Sequence, residues 1–130
     1  MKNNIIFRQF LRFCIVGIAN TLLTAAVIFL LLKVAKISDI AANLAGYVVG
    51  LLNSFVWNRR WTFSSNLKIT RTFFKFLLIF VVSYIVQFVV VILLIHSLSI
   101  DNYYSHLLAM IPYTIANFLL NKFYTFKSKT

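Results

Sequence analysis

Residues 13–32 read FCIVGIANTLLTAAVIFLLL, a run without one charged side chain. At about 1.5 Å of rise per residue, a helix of this length covers about 30 Å, the thickness of a bilayer's hydrocarbon core. Lys2, Arg8 and Arg12 precede it, as they would in a secretory signal. The run is about twice as long as a signal's apolar region, however, and no small-x-small cleavage site leads from it into a soluble domain, so it is expected to be a retained first span. It also contains the chain's single cysteine, Cys14, so no internal disulfide can form.

The rest of the chain has the same character. Its 130 residues are 62% hydrophobic and 12% charged, against about a quarter charged in a typical soluble domain. A water-soluble core of this size could not bury that much apolar surface. Four segments match a bilayer, at 10–32, 40–57, 74–98 and 104–120, the second and fourth being shorter and more polar. The expected fold class is all-α, an integral membrane four-helix bundle. Residues 33–39 and 99–103 make short turns, and residues 58–73 a basic loop with the turn cluster Ser64, Ser65 and Asn66.

A net charge of +11 would suit nucleic acid. Here the cations form no single basic face but three clusters between apolar runs, so no nucleic-acid partner is expected and membrane lipid is. One side of the membrane receives Lys2, Arg8, Arg12, then Arg59, Arg60, Lys68, Arg71, Lys75, then Lys122, Lys127 and Lys129. The other receives Lys33 and Lys36 with both acids, Asp39 and Asp101. The positive-inside rule then sets both termini and the middle loop in the cytoplasm, in a multi-pass protein of the plasma membrane.

The clusters recur at a constant offset of 63 positions, with no gap. Arg8 falls on Arg71, Phe10 on Phe73, Arg12 on Lys75 and Phe13 on Phe76; later, Asn58 falls on Asn121, Arg59 on Lys122, Trp61 on Tyr124, Thr62 on Thr125 and Phe63 on Phe126. Apolar composition alone does not produce matched polar and basic positions at both ends of each copy. The chain is expected to be two tandem parallel helical hairpins, approximately residues 8–65 and 71–128.

Two patterns stand out within the copies. Ala42, Gly46, Gly50 and Ser54 recur every four residues on one helical face, a small-residue stripe that lets another helix approach, within the chain or between copies of it. At the offset lie Ser105, Ala109, Tyr113 and Asn117, half of them polar. The second pattern ends each copy: residues 53–63 read NSFVWNRRWTF and residues 117–126 read NFLLNKFYTF. Each sets an amide beside a cation at headgroup depth, followed by an aromatic, a Thr and a Phe. Cations answer a phosphate's charge, and amides and hydroxyls its remaining oxygens, which makes Asn58, Arg59, Arg60, Asn121 and Lys122 candidate phosphate ligands. A topology signal with an aromatic belt of Trp57, Trp61 and Tyr124 would explain the same residues one at a time.

The spans hold polar side chains, among them Asn20, Asn53, Gln87 and Asn117, but no Asp, Glu, Lys or Arg at depth. Such residues join helices by hydrogen bonds or line a path. A proton-coupled exporter of cations needs an intramembrane carboxylate, and none is there. His96 and His106 fall near the outer turns. No carboxylate pair, catalytic triad or glycine-rich phosphate loop points to an enzyme, and no cofactor or metal is expected.

With the paired endings in view, the sequence resembles the GtrA-like family of small membrane proteins. The resemblance runs from residues 10–13, FLRF, through Gly17 and Asn20 to residues 121–126, NKFYTF, and its most characteristic piece is NRRWTF at 58–63. It implies one four-span domain over residues 1–130, linked to polysaccharide biosynthesis or teichoic-acid glycosylation. It further implies a flippase that carries a polyprenyl-phosphate-linked sugar from the cytoplasmic to the outer leaflet. Arg59, with Asn58 and Arg60, would then engage the lipid phosphate, and Lys122 with Asn121 would repeat the site. Asn20, Asn53, Gln87 and Asn117 would offer the sugar hydroxyls a path.

Other classes remain open. The chain could be a non-transporting partner that positions a membrane glycosyltransferase, its basic loop serving as docking surface. A small-solute exporter is disfavoured by the missing acid. Four short helices make a thin wall for a sugar headgroup, so a homo-oligomer is expected, with the glycine stripe as candidate contact.

Overall fold

Lipid offers no partner to a backbone N–H or C=O, so a spanning chain must satisfy them within itself. The computed structural model, which describes residues 2–127, does so with helices: α1 (Lys2–Lys33), α2 (Asp39–Trp57), α3 (Ile69–His96) and α4 (Asn102–Leu120). A π-helical turn follows α2 at Asn58–Thr62 and another follows α4 at Asn121–Thr125. The described residues contain no strand, in keeping with the all-α expectation. Lys129 lies outside the described residues. The chain divides between Ser64 and Ser65 into two compact units, each a helical hairpin.

The turn between the helices of the first hairpin reappears at the offset of 63. Helix α1 ends at Lys33 and α3 at His96; α2 begins at Asp39 and α4 at Asn102. Lys36 and Ser99 both adopt the left-handed conformation, with φ of 52° and 51°. The reversals are closed by the N–H of Ile37 on the carbonyl of Leu31 at 2.9 Å and by that of Ile100 on Leu94 at 3.0 Å. Ser38 and Asp101 then cap the returning helices, accepting from the N–H groups of Ala41 and Tyr103.

Two boundaries differ from the sequence reading. The first helix begins not near residue 10 but at Lys2, so that Lys2, Arg8 and Arg12 all lie in α1, whose 32 residues reach about 48 Å, beyond the hydrocarbon core. The loop expected at 58–73 is shorter: its first part winds on as the π-helical turn and its last part is the beginning of α3. The apolar run ends at Trp57, yet the backbone keeps winding because Asn58 supplies the bonds that the helix end lacks.

Helices α1 and α3, together with the segment Asp39–Thr62, are long and apolar enough to cross a membrane. Helix α4 is 19 residues long, carries Asn102, His106 and Asn117, and continues through Pro112, which has no N–H for the carbonyl four residues back. Large apolar side chains face outward along the helices, including Ile18, Leu22 and Phe29 on α1 and Phe74, Ile85 and Phe88 on α3. Each would cost about 1.5–3 kcal/mol in water relative to burial, and lipid removes that cost.

Inside the first hairpin the small stripe faces α1. Ala42, Gly46 and Gly50 are buried, and a Cβ added at Gly46 would strike Ile28 while one at Gly50 would strike the Thr24 hydroxyl. The stripe is thus filled by the chain's own α1 and is not an open face for a second copy. Ser54 is half-buried, its hydroxyl accepting from Asn58. In the second hairpin Ser105 and Ala109 take the corresponding buried places.

Gly50→Val should lower the hairpin's stability by about 1–3 kcal/mol through overpacking. Thr24→Ala in the same chain should restore part of the loss. Thermal denaturation in detergent of the two single variants and the double variant measures the coupling, and additive losses would contradict the packing described.

Candidate functional site

The end of α2 poses a local problem, because its last carbonyls have no intrahelical partner. Asn58 answers it almost alone. Its backbone N–H bonds to the carbonyls of Ser54 and Phe55. Its side-chain amide donates to the Ser54 hydroxyl at 3.1 Å and accepts from the Thr62 hydroxyl at 2.8 Å. Its carbonyl takes the N–H of Phe63 at 2.9 Å, the five-residue spacing of a π-helical turn. With 1% of its surface exposed, Asn58 is wholly engaged in holding that turn.

Asn121 does the same after α4. Its N–H bonds to the carbonyls of Asn117 and Phe118, its amide donates to the Asn117 side chain at 2.7 Å and to that residue's carbonyl at 3.0 Å, and its carbonyl takes the N–H of Phe126 at 2.9 Å. One bond differs: the hydroxyl of buried Thr125 and the side-chain oxygen of Asn121 find no partner, where Thr62 and Asn58 bond to each other.

What the turns present is charge. Arg59 is half-buried and Arg60 exposed on the first turn; Lys122 is half-buried on the second, beside an exposed Phe123 that occupies the position of Arg60. The ammonium of Lys122 lies 5.8 Å from the Phe123 ring. The expected amide ligands and cation ligands therefore divide. Asn58 and Asn121 are buried and shape the turns, while Arg59, Arg60 and Lys122 carry the charge.

Each turn is also gripped from the opposite helix. Arg12 of α1 donates through Nη1 to the carbonyl of Trp61 at 3.0 Å, its guanidinium 5.3 Å from the centre of that ring. Lys75 of α3 donates through Nζ to the carbonyl of Tyr124 at 3.4 Å, 4.4 Å from its ring. Behind them Phe13 meets Phe63 at 6.3 Å and Phe76 meets Phe126 at 6.4 Å. Sequence reasoning gave Arg12 and Lys75 only a topological role. The signal that could have found them was their pairing at the repeat offset, at the same distance from a paired aromatic.

The other expected positions separate by hairpin. Asn20 and Asn53 meet in the first, the Asn53 amide donating to the Asn20 side-chain oxygen at 2.6 Å. In the second, Asn117 is 6% exposed and donates to the Tyr113 hydroxyl at 3.5 Å, and Gln87 is half-buried. Ser83, which corresponds to Asn20, is fully buried, and its hydroxyl has no partner.

Asn58→Ala should destabilise the first hairpin by about 1–3 kcal/mol, because Thr62 would lose a buried partner. Asn58→Asp should recover the acceptor but lose the donor to Ser54. Thermal denaturation in detergent tests both, and a neutral Asn58→Ala would contradict the role assigned to the amide.

Comparison with known proteins gives this geometry a family. Residues 12–126 match the model described as "GtrA/DPMS, transmembrane domain". The chain is also 34% identical over 116 residues to the uncharacterized membrane protein YngA of Bacillus subtilis (strain 168), an alignment covering 88% of this chain and 77% of that protein. The match takes in both gripped turns, from Arg12 at its start to Phe126 at its end, and on this ground the chain belongs to the GtrA/DPMS transmembrane-domain family.

Proposed function

We propose that the protein moves a polyprenyl-phosphate-linked monosaccharide from the cytoplasmic to the outer leaflet of the plasma membrane, for cell-surface glycan or teichoic-acid glycosylation. The family is associated with lipid-linked sugar glycosylation. The observation that supports the reading is the recurrence, at the end of both hairpins, of a π-helical turn that carries cations. A lipid phosphate requires fixed positive charge at headgroup depth.

In this reading α4 is the fourth span, and both termini and the connection between the hairpins are cytoplasmic. Arg59 and Arg60 engage the phosphate, Lys122 provides the counterpart, and Asn58 and Asn121 hold the turns in shape. Asn20, Asn53, Gln87 and Asn117 exchange hydrogen bonds with the sugar as it crosses, while the prenyl tail stays in lipid. The working form is a homo-oligomer. The second reading, a partner subunit that positions a membrane glycosyltransferase, draws on exposed Arg60, Lys68 and Arg71 around that connection.

Translocation in proteoliposomes decides between them. Arg59→Ala combined with Lys122→Ala should slow lipid-linked sugar transfer by about tenfold or more, the scale of a lost charge-assisted hydrogen bond. Unchanged transfer by correctly inserted protein would reject the phosphate role. Copurification with a transferase and no flux by the isolated protein would favour the partner reading.

The topology has its own test. In a Cys14→Ser background, Lys127→Cys should react with an impermeant maleimide only from the cytoplasmic side and Lys36→Cys only from the outer side. Labelling of both from one side would overturn the four-span arrangement.

A further inference from the structure

Arg12 and Lys75 do more at the turns than a cap requires. A carbonyl at a helix end is satisfied by one donor, and a neutral side chain can supply it. Both hairpins use a full cation instead. Among the described residues, Arg12 donates one hydrogen bond, through one of its five N–H groups. Lys75 likewise donates one of three.

Among the described residues, no carboxylate is recorded against either of these charges. The first hairpin's acid, Asp39, begins α2, and the second's, Asp101, caps α4. Each is a full helix away from the turn, about 27 Å along the axis at 1.5 Å per residue. Each hairpin therefore holds a half-buried cation, fixed by a carbonyl and an aromatic face, against the same five-residue turn that carries Arg59 and Arg60 or Lys122. A fixed, half-desolvated positive charge with further donors, and with no counter-ion among the described residues, suits an anion.

We infer that Arg12 and Lys75 are themselves phosphate ligands, forming with Arg59 and Lys122 a two-walled anion site in each hairpin, one wall from the incoming helix and one from the turn. The inference rests on the phosphate role proposed above and extends it to residues outside the turn. The ligand chemistry is a phosphate monoester or diester. The pairing also separates the two sites in kind. The first hairpin offers guanidinium groups, which fork onto two oxygens, and the second offers ammonium groups, which act as point charges.

Trp61 reports on this site directly, since the chain's other tryptophan, Trp57, can be replaced. In the purified Trp57→Phe protein in detergent, farnesyl phosphate should shift Trp61 emission, because the ring under the Arg12 guanidinium senses an arriving negative charge. Farnesol should not. Competition by inorganic phosphate at concentrations similar to farnesyl phosphate would identify a site for free phosphate, and weak competition a site for the lipid headgroup; both keep an anion at Arg12. A response equal for farnesyl phosphate and farnesol, or none for either anion, would overturn the inference.

Arg12→Gln with Lys75→Gln preserves a donor for each carbonyl and removes the charge. It should weaken farnesyl phosphate binding about tenfold or more and flatten its salt dependence. Arg12→Lys with Lys75→Arg should bind nearly as well as the unaltered protein. If the glutamine pair fails to fold, the Trp61 response decides.

The outcomes distinguish this inference from the function it extends. Loss of binding in Arg59→Gln with Lys122→Gln, but not in the Arg12 and Lys75 pair, would leave the turn as the phosphate site and remove the second wall. Anion binding that depends on Arg12 and Lys75 without any lipid translocation would keep the wall and reject the transport reading.

Discussion

Where each hairpin's second helix runs out, a backbone carbonyl, that of Trp61 or Tyr124, is taken by a cation from the other helix, and the same cation rests on that residue's ring. The last carbonyls of a helix have no partner within it, which makes a helix end the weakest point of the element. Closing it from the neighbouring helix joins two needs, satisfaction of the backbone and fixation of the helix pair. The π-helical winding follows, since Asn58 and Asn121 each draw the N–H five residues ahead onto their own carbonyls.

The two hairpins solve this problem with the same scaffold and different chemistry. Guanidinium over indole in the first becomes ammonium over phenol in the second. Arg60 becomes Phe123, and the hydrogen-bonded Asn20 and Asn53 correspond at the offset to buried Ser83 and to Ala116. Positions that build the turn are retained, while those that would meet a ligand vary in kind. A duplicated element that specialises under a fixed packing constraint has this pattern, because replacing the buried amide leaves polar groups unsatisfied, while the half-exposed cation can change from guanidinium to ammonium without disturbing the turn.

Packing within the first hairpin shows the same economy. Gly46 and Gly50 let α2 approach until Ile28 and Thr24 occupy the space of the missing side chains. Close contact of this kind drives helix association in lipid, where apolar burial gives no advantage over the acyl chains. The polar hydrogen bond between Asn20 and Asn53 then lies where the glycines allow the helices to meet.

The sequence by itself determined the helical class, the apolar segments and the duplication, because these depend on composition along the chain and on an offset that needs no knowledge of contacts. It also located the cations of the turns. It placed the ends of the elements less well: the loop expected at 58–73 is largely helical, since the winding past Trp57 is maintained by side-chain bonds that hydropathy does not register. Only the tertiary structure decided that Asn58 and Asn121 are buried and engaged while Arg12 and Lys75 reach the turns from the opposite helix. The physical reason is that a side chain's charge can be read from its position in the chain, but whether its donors are already taken depends on which helix folds back against it.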